Sequence, residues 1–199
     1  MKTLIAIPAM SWVYTDFLQC MLALDKPDAQ MIIQKNSLIY DARNNIAAGA
    51  IHYGFDRVLW LDSDMYFDAD LLNRLNRDMD ENGLEYVCGV FTTRSKPVTP
   101  CIYKELNYGV DGKKAIPYTE HPKGLFEIAA SGFGAVLMKT DILRRVHERF
   151  GDPFVPLEKL GEDMSFCYRL SQIGVKMWCD GSIQLGHIGQ CIYMEGENV

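Results

Sequence analysis

The 199-residue chain lacks the signatures by which several protein classes are recognised. It holds no CxxC pair. Cys20, Cys88, Cys101, Cys167, Cys179 and Cys191 are scattered, most of them in apolar surroundings, which reads as reduced core thiols rather than disulfides or a structural zinc site. There is no run of eighteen apolar residues, so no membrane-spanning helix is expected. Residues 1–8 are too short, and too soon broken by Pro8, to read as a signal peptide, and the expected location is cytoplasmic. No Lys/Arg cluster stands out and the net charge is -6, so nucleic acid is not an expected partner. The first apolar run continues as Ile7-Pro8-Ala9-Met10-Ser11-Trp12, without GxGxxG, and no Walker A sequence exists. These absences weigh against a dehydrogenase and a P-loop NTPase. Repeats, low-complexity tracts and long linkers are missing as well.

What remains is ordinary globular material. Hydrophobic residues make up 48% and charged residues 23%, enough apolar content for one substantial core. The pattern over residues 1–91 alternates short apolar runs with helical periods. Strands are expected at 3–8, 30–34, 57–61 and 85–91, and helices at 15–24, 39–53 and 69–79, the last with Asp68 as a plausible cap. This β-α-β-α-β-α-β order implies a largely parallel sheet covered on both faces. Residues 92–126 are rich in turn formers, with a possible hairpin at 108–116 around Asp111-Gly112. A strand at 135–138, helices at 141–149 and 162–173, and short strands at 175–179 and 182–185 complete the chain. The expected organisation is a single α/β domain with a nucleotide-binding half, 1–91, and a mixed half, 92–199.

In open α/β sheets, ligands bind beyond the carboxyl ends of the strands. The third strand ends in Trp60-Leu61-Asp62-Ser63-Asp64. Two carboxylates two residues apart, just past a buried strand, suit a hard divalent cation, which can in turn hold a diphosphate. The spacing alone says little, since sixteen aspartates should give about one such pair by chance. Three occur. Asp68/Asp70 sit at a helix start, where acids are favoured for electrostatic reasons. Asp78/Asp80 lie at a helix end among polar residues and read as solvated surface. Only Asp62/Asp64 follows an apolar strand.

Other constellations are weaker singly. Glu162 and Asp163 open a helix, where first-turn acids are common. A carboxylate there should stay ionised and could act as a general base, Asp163 being preferred. His187, between Gly186 and Gly189 in Gly-His-Ile-Gly, could be a metal ligand, although a lone histidine is more often structural. His121 is a weak substrate-contact candidate; His52 and His147 read as structural or surface. Arg43 in Asp41-Ala42-Arg43-Asn44 offers a planar donor fork for a phosphate or base edge, or is a surface arginine. Ser131-Gly132-Phe133-Gly134 permits close backbone approach to a ligand, or is a tight turn.

Together these pieces resemble the GT-A nucleotide-sugar glycosyltransferases, closest to the glycosyltransferase family 2-like group. The resemblance covers most of the chain. It rests on Ile7-Pro8, Ala42-Arg43-Asn44, Leu61-Asp62-Ser63-Asp64, Ser131-Gly132, Glu162-Asp163 and His187 in that order. It implies a GT-A-type α/β fold with a Rossmann-like, mostly parallel central sheet flanked by helices and a small mixed C-terminal half. It also implies a metal-dependent, inverting transfer of one sugar from a nucleoside-diphosphate sugar to an acceptor hydroxyl. In this scheme Pro8 and Ala9 lie against the nucleoside, and Arg43 and Asn44 help hold the donor. Asp62, Asp64 and His187 hold Mn²⁺ or Mg²⁺, with Asp62 also near the ribose. Ser131 and Gly132 line the donor-sugar or acceptor site, Glu162 contacts acceptor or sugar, and Asp163 is the base. A histidine ligand favours Mn²⁺ over Mg²⁺. The acceptor is open between glycan, small molecule and protein. The chain is shorter than typical members and lacks a QxxRW-type motif, which points to single-sugar transfer. A retaining mechanism, a sugar nucleotidyltransferase and a non-catalytic binder of the same fold are the alternatives.

Overall fold

The computed structural model describes residues 1–35, 37–108, 115–189, 192–193 and 195. The first part follows the alternation read from the sequence: β1 (Thr3–Ala9), α1 (Thr15–Ala23), β2 (Gln30–Lys35), α2 (Ile39–His52), β3 (Arg57–Leu61), the two-residue β4 (Met65–Tyr66), α3 (Leu71–Asn82) and β5 (Tyr86–Val90). Then come β6 (Ile102–Leu106), β7 (Ala115–Pro117), β8 (Leu125–Ile128), β9 (Ala130–Ser131), β10 (Ala135–Lys139), α4 (Thr140–Phe150), α5 (Glu162–Gln172), β11 (Met177–Gln184), β12 (Gly186–Ile188) and β13 (Ile192–Tyr193). Helix α3 starts two residues later than its period suggested. It ends at Gly83, whose φ of 64° supplies the left-handed cap. Strands β6 and β7 pair antiparallel, but the Asp111-Gly112 turn lies outside the described residues, as does Cys191. The two short strands expected at 175–185 are one strand, β11, whose register shifts between Cys179 and Gln184.

Seven strands form the central sheet in the order β2-β1-β3-β10-β5-β11-β8. Strands β1, β2, β3, β5 and β11 run one way; β10 and β8 run against them. The sheet is therefore α/β and mostly parallel, as expected, with one difference. Strands β3 and β5, successive in the alternating part, are not neighbours, because β10 inserts antiparallel between them. Strands β3 and β5 are buried along their whole length. Such strands carry apolar residues on both faces, so their sequence does not reveal which strand pairs with which.

The two faces carry separate cores. Helix α2 lays Ile46, Ala47 and Ala50 on the Leu4, Ala6, Val58 and Trp60 face, and α4 and α5 extend that layer with Ile142, Leu143, Phe166 and Leu170. Helices α1 and α3 cover the other face, packing Phe17, Met21, Leu72 and Leu75 on Ile5, Ile7, Leu59 and Leu61. The alanines of α2 let its backbone lie close to the sheet, and this brings the first turn of α2 to the carboxyl ends of β1 and β3.

One expectation fails here. Asp78 is not solvated surface: it is buried on the inner side of α3. Asp80 is exposed but pairs with the buried Arg57, which also donates to Asn76 Oδ1 at 2.6 Å.

Candidate functional site

The carboxyl ends of β1 and β3 and the first turns of α2 and α5 enclose a cavity of about 240 Å³. Pro8, Ala9, Met10, Ile39, Arg43, Asp62, Ser63, Asp64 and Glu162 all line it. Residues from four distant stretches thus meet where the topology of an open sheet places a ligand site.

Arg43 is the hub. It continues the buried stripe of α2 at the i, i+3, i+4, i+7 positions Arg43, Ile46, Ala47 and Ala50, so a cation occupies a place the helical period reserves for the core. Its Nη2 donates to Asp62 Oδ1 at 2.9 Å, and its Nε lies 3.6 Å from Glu162 Oε1. The guanidinium lies 4.8 Å from the ring centre of Phe133 and 5.9 Å from that of Trp60. Nε and Nη1 have no hydrogen-bond partner although buried. The residue is only 2% exposed, so it meets the cavity chiefly through the two carboxylates it binds.

Three carboxylates, Asp62, Glu162 and Asp163, lie in the field of this one buried cation. The carboxyl of Asp62, whose side chain stays 26% exposed toward the cleft, is pushed up to about 6. Burial is the main cause; Arg43 opposes it, and Asp64, Asp163 and Glu162 add to it. Asp163 is also raised, by burial and then by Glu162, against the Met164 N–H that donates to its Oδ1 at 2.7 Å and against Arg43. The sequence expectation rested on the helix start keeping Asp163 acidic; burial works in the other direction and makes it more basic.

Asp64 and His187 stand 123 residues apart in sequence and meet through the small sheet in which Met65 of β4 pairs with His187 of β12. The Ile188 N–H donates to the Asp64 carbonyl at 2.7 Å and fixes the pairing. His187 Nδ1 lies 2.7 Å from the Thr92 carbonyl. A carbonyl only accepts, so Nδ1 carries a proton. In the neutral imidazole, Nε2 then presents a lone pair, and it faces Asp64 Oδ2 at 3.3 Å. Two acceptors at that separation repel unless a cation lies between them or the ring is protonated. A backbone carbonyl that orients one ring nitrogen is common behind metal-binding histidines. Asp64 and His187 could thus supply two ligands to a divalent ion, the rest of its shell coming from other oxygens. Among the described residues no three His, Cys, Asp or Glu side chains converge on one point. Asp62 turns to Arg43, and Asp64 is also 3.2 Å from Arg94 Nη1.

The remaining candidates are placed as follows. Asn44 does not line the cleft: its Oδ1 accepts from the Phe154 N–H at 2.8 Å and ties α2 to the segment before α5. Ser131 is buried with its Oγ 2.7 Å from the Tyr86 hydroxyl. Gly132 and Gly134 admit the Phe91 ring, which a Cβ at either position would strike. His121 stacks on Phe126, with its Nε2 2.8 Å from Glu195, and lines no part of the cleft. Three contributors escaped the sequence reading: Arg94 and the Thr92 carbonyl, which act on Asp64 and His187, and Cys101, held near Asp163 and Asp62, where burial pushes its thiol up to about 12. Thr92 and Arg94 follow the carboxyl end of β5, so the strand-end rule that singled out Asp62 also pointed to them.

The comparisons agree with this architecture. The solved structure of A197 from STIV superposes with a TM-score of 0.68 at 18% identity, covering 100% of this chain and 96% of that one. GalNAc-T7, solved with UDP, GalNAc and Mn²⁺, gives a TM-score of 0.66 at 10% identity, covering 100% of this chain and 45% of that one. The chain thus spans less than half the length of that transferase. No family model and no curated protein matches the sequence. At these identities the likeness shows the fold alone: a mostly parallel α/β fold consistent with a Rossmann-like, GT-A type.

Proposed function

We propose that the protein is a glycosyltransferase that moves one sugar from a nucleoside-diphosphate sugar to an acceptor hydroxyl with inversion. The observation that carries the reading is the strand-end cleft in which Pro8, Ala9, Arg43, Asp62, Asp64 and Glu162 meet, with His187 oriented on Asp64 by the Thr92 carbonyl. The glycosyltransferase-like fold and the UDP and Mn²⁺ in the GalNAc-T7 structure support it.

In this reading Pro8 and Ala9 pack against the nucleoside. Asp64 and His187, with Asp62, would hold Mn²⁺ or Mg²⁺, and the bound ion would supply Lewis-acid stabilisation to a departing diphosphate. Arg43 keeps Asp62 and Glu162 in place and lessens their mutual repulsion. Glu162 contacts the sugar or the acceptor. The acceptor oxygen forms a bond to the anomeric carbon as the bond to the diphosphate breaks on the opposite face. The hydroxyl proton passes to Asp163, whose Oδ1 accepts from the Met164 N–H at 2.7 Å. The raised basicity of Asp163 suits that transfer.

Calorimetry with UDP, GDP and CDP, each with and without Mn²⁺, tests the proposal. The expected result is metal-dependent binding of at least one diphosphate, lost in Asp64→Ala. Absence of binding by all three refutes the glycosyltransferase reading. Binding that ignores the metal removes the roles given to Asp64 and His187.

A further inference from the structure

Strand β2 ends the central sheet, and among the described residues no strand pairs with its outer edge. Natural edge strands are blunted by charge, proline, bulges or a covering element, because an open row of N–H and C=O groups invites another strand. None of these protects the middle of β2. Its sequence is Gln30-Met31-Ile32-Ile33-Gln34-Lys35, its register against β1 is regular, and its only charge stands at the end. Met31 is 51% exposed, Ile33 49% and Ile32 39%. Met31 and Ile33 pair with Ile5 and Ile7, so they lie on the face that α1 covers further in. Helix α1 leaves Leu18 and Leu22 exposed in turn, Leu22 at 76%. Apolar side chains grouped in this way at a sheet edge mark an association surface.

We propose that β2 pairs antiparallel with β2 of a second copy of this chain, joining two seven-stranded sheets into one. The pattern of β2 selects this occupant. A two-fold axis normal to the sheet keeps each face continuous, so residues of equal parity stand opposite each other. With the axis at Ile32, Ile32 meets Ile32, Met31 meets Ile33, and Gln30 meets Gln34. Every pair is like with like, apolar in the middle and amide at the flanks. Lys35 falls opposite Ala29, so no two like charges oppose. The strand is close to a palindrome about Ile32, so a two-fold contact with a second copy matches apolar with apolar and amide with amide along its length. The edge is roughly 20 Å long. This places the contact at the low end of specific interfaces by size. The inference is independent of the proposed catalytic function, since β2 contributes no residue to the cleft.

Sedimentation velocity on the purified chain, from low micromolar to submillimolar concentration, tests it. The expected wild-type result is a monomer–dimer equilibrium. Ile32→Lys and Ile32→Glu each put like charges against one another on the axis, and each should remain monomeric throughout. Mixed in equal amounts, the two variants should recover the dimer, because residue 32 of one chain meets residue 32 of the other. A monomeric wild type, single variants that still dimerise, or a mixture that stays monomeric overturns the pairing. Circular dichroism checks that both variants fold. If either does not, amide exchange on the wild type decides: the outward amides of β2 must gain protection with rising concentration.

Discussion

Asp78 provides the sharpest energetic test. It projects from α3 against Asp180 of β11 in the second core, where its Oδ2 is buried without a hydrogen-bond partner. Asp180 already accepts from the Ser182 N–H at 2.8 Å and from the Ser182 hydroxyl at 2.7 Å. Two carboxylates brought together away from water repel each other unless one of them carries a proton. Burial, then the charge and the hydrogen bond of Asp180, push Asp78 up to about 6, with Arg77 and Arg74 opposing. The native state therefore holds a proton between about pH 4 and pH 6 that the unfolded chain has released. Stability falls as pH rises through that window, and the deficit persists above it. Two pH units fully expressed would amount to about 3 kcal/mol. Arg74, Arg77 and nearby solvent screen part of it, which leaves about 1–2 kcal/mol. Asp78→Asn replaces the buried carboxyl with a neutral amide that has no proton to lose. The variant should be more stable than wild type by that amount at pH 7.5 in urea denaturation, and the gain should vanish near pH 4. A destabilised variant at pH 7.5, or a gain that does not change with pH, refutes the account of a buried carboxyl raised by Asp180.

Two further predictions concern the cleft. Asp163→Asn should keep diphosphate affinity and lose sugar transfer; if both are lost together, measured by calorimetry and product formation, Asp163 is structural rather than the base. Arg43→Met leaves Asp62 and Glu162 facing each other without their cation and should cost about 3–5 kcal/mol in chemical denaturation, whereas a loss under about 1 kcal/mol would show that the carboxylates do not depend on it.

Much of the architecture was legible because local chemistry decided it. Strand β3 lies where an apolar run of Arg57-Val-Leu-Trp-Leu61 could be only a buried strand, and α5 starts where Gly161 yields to Glu162 and Asp163. Residues 92–126 resisted, since turn formers conceal the short strands β6, β7 and β8, which long-range pairing holds. Asp78 was misread for a different reason. Its neighbours in sequence are polar, but the period Leu71, Leu75, Asp78, Met79 puts it on the buried side of α3. The same period hid the meaning of Arg43, a cation at a core position rather than a surface arginine.

The sequence by itself determined the α/β class, the first three strands and the strand-end position of Asp62 and Asp64, because periodicity and burial act over a few residues. Tertiary structure alone decided the rest. It inserted β10 between β3 and β5, closed β4 on β12 so that His187 faces Asp64, and drew Asp62 and Glu162 onto one arginine. Each of these is a contact between residues far apart in the chain, fixed by sheet order and by the pairing of buried polar groups. No local pattern encodes such a contact, because its energy arises only when distant segments share the same desolvated space.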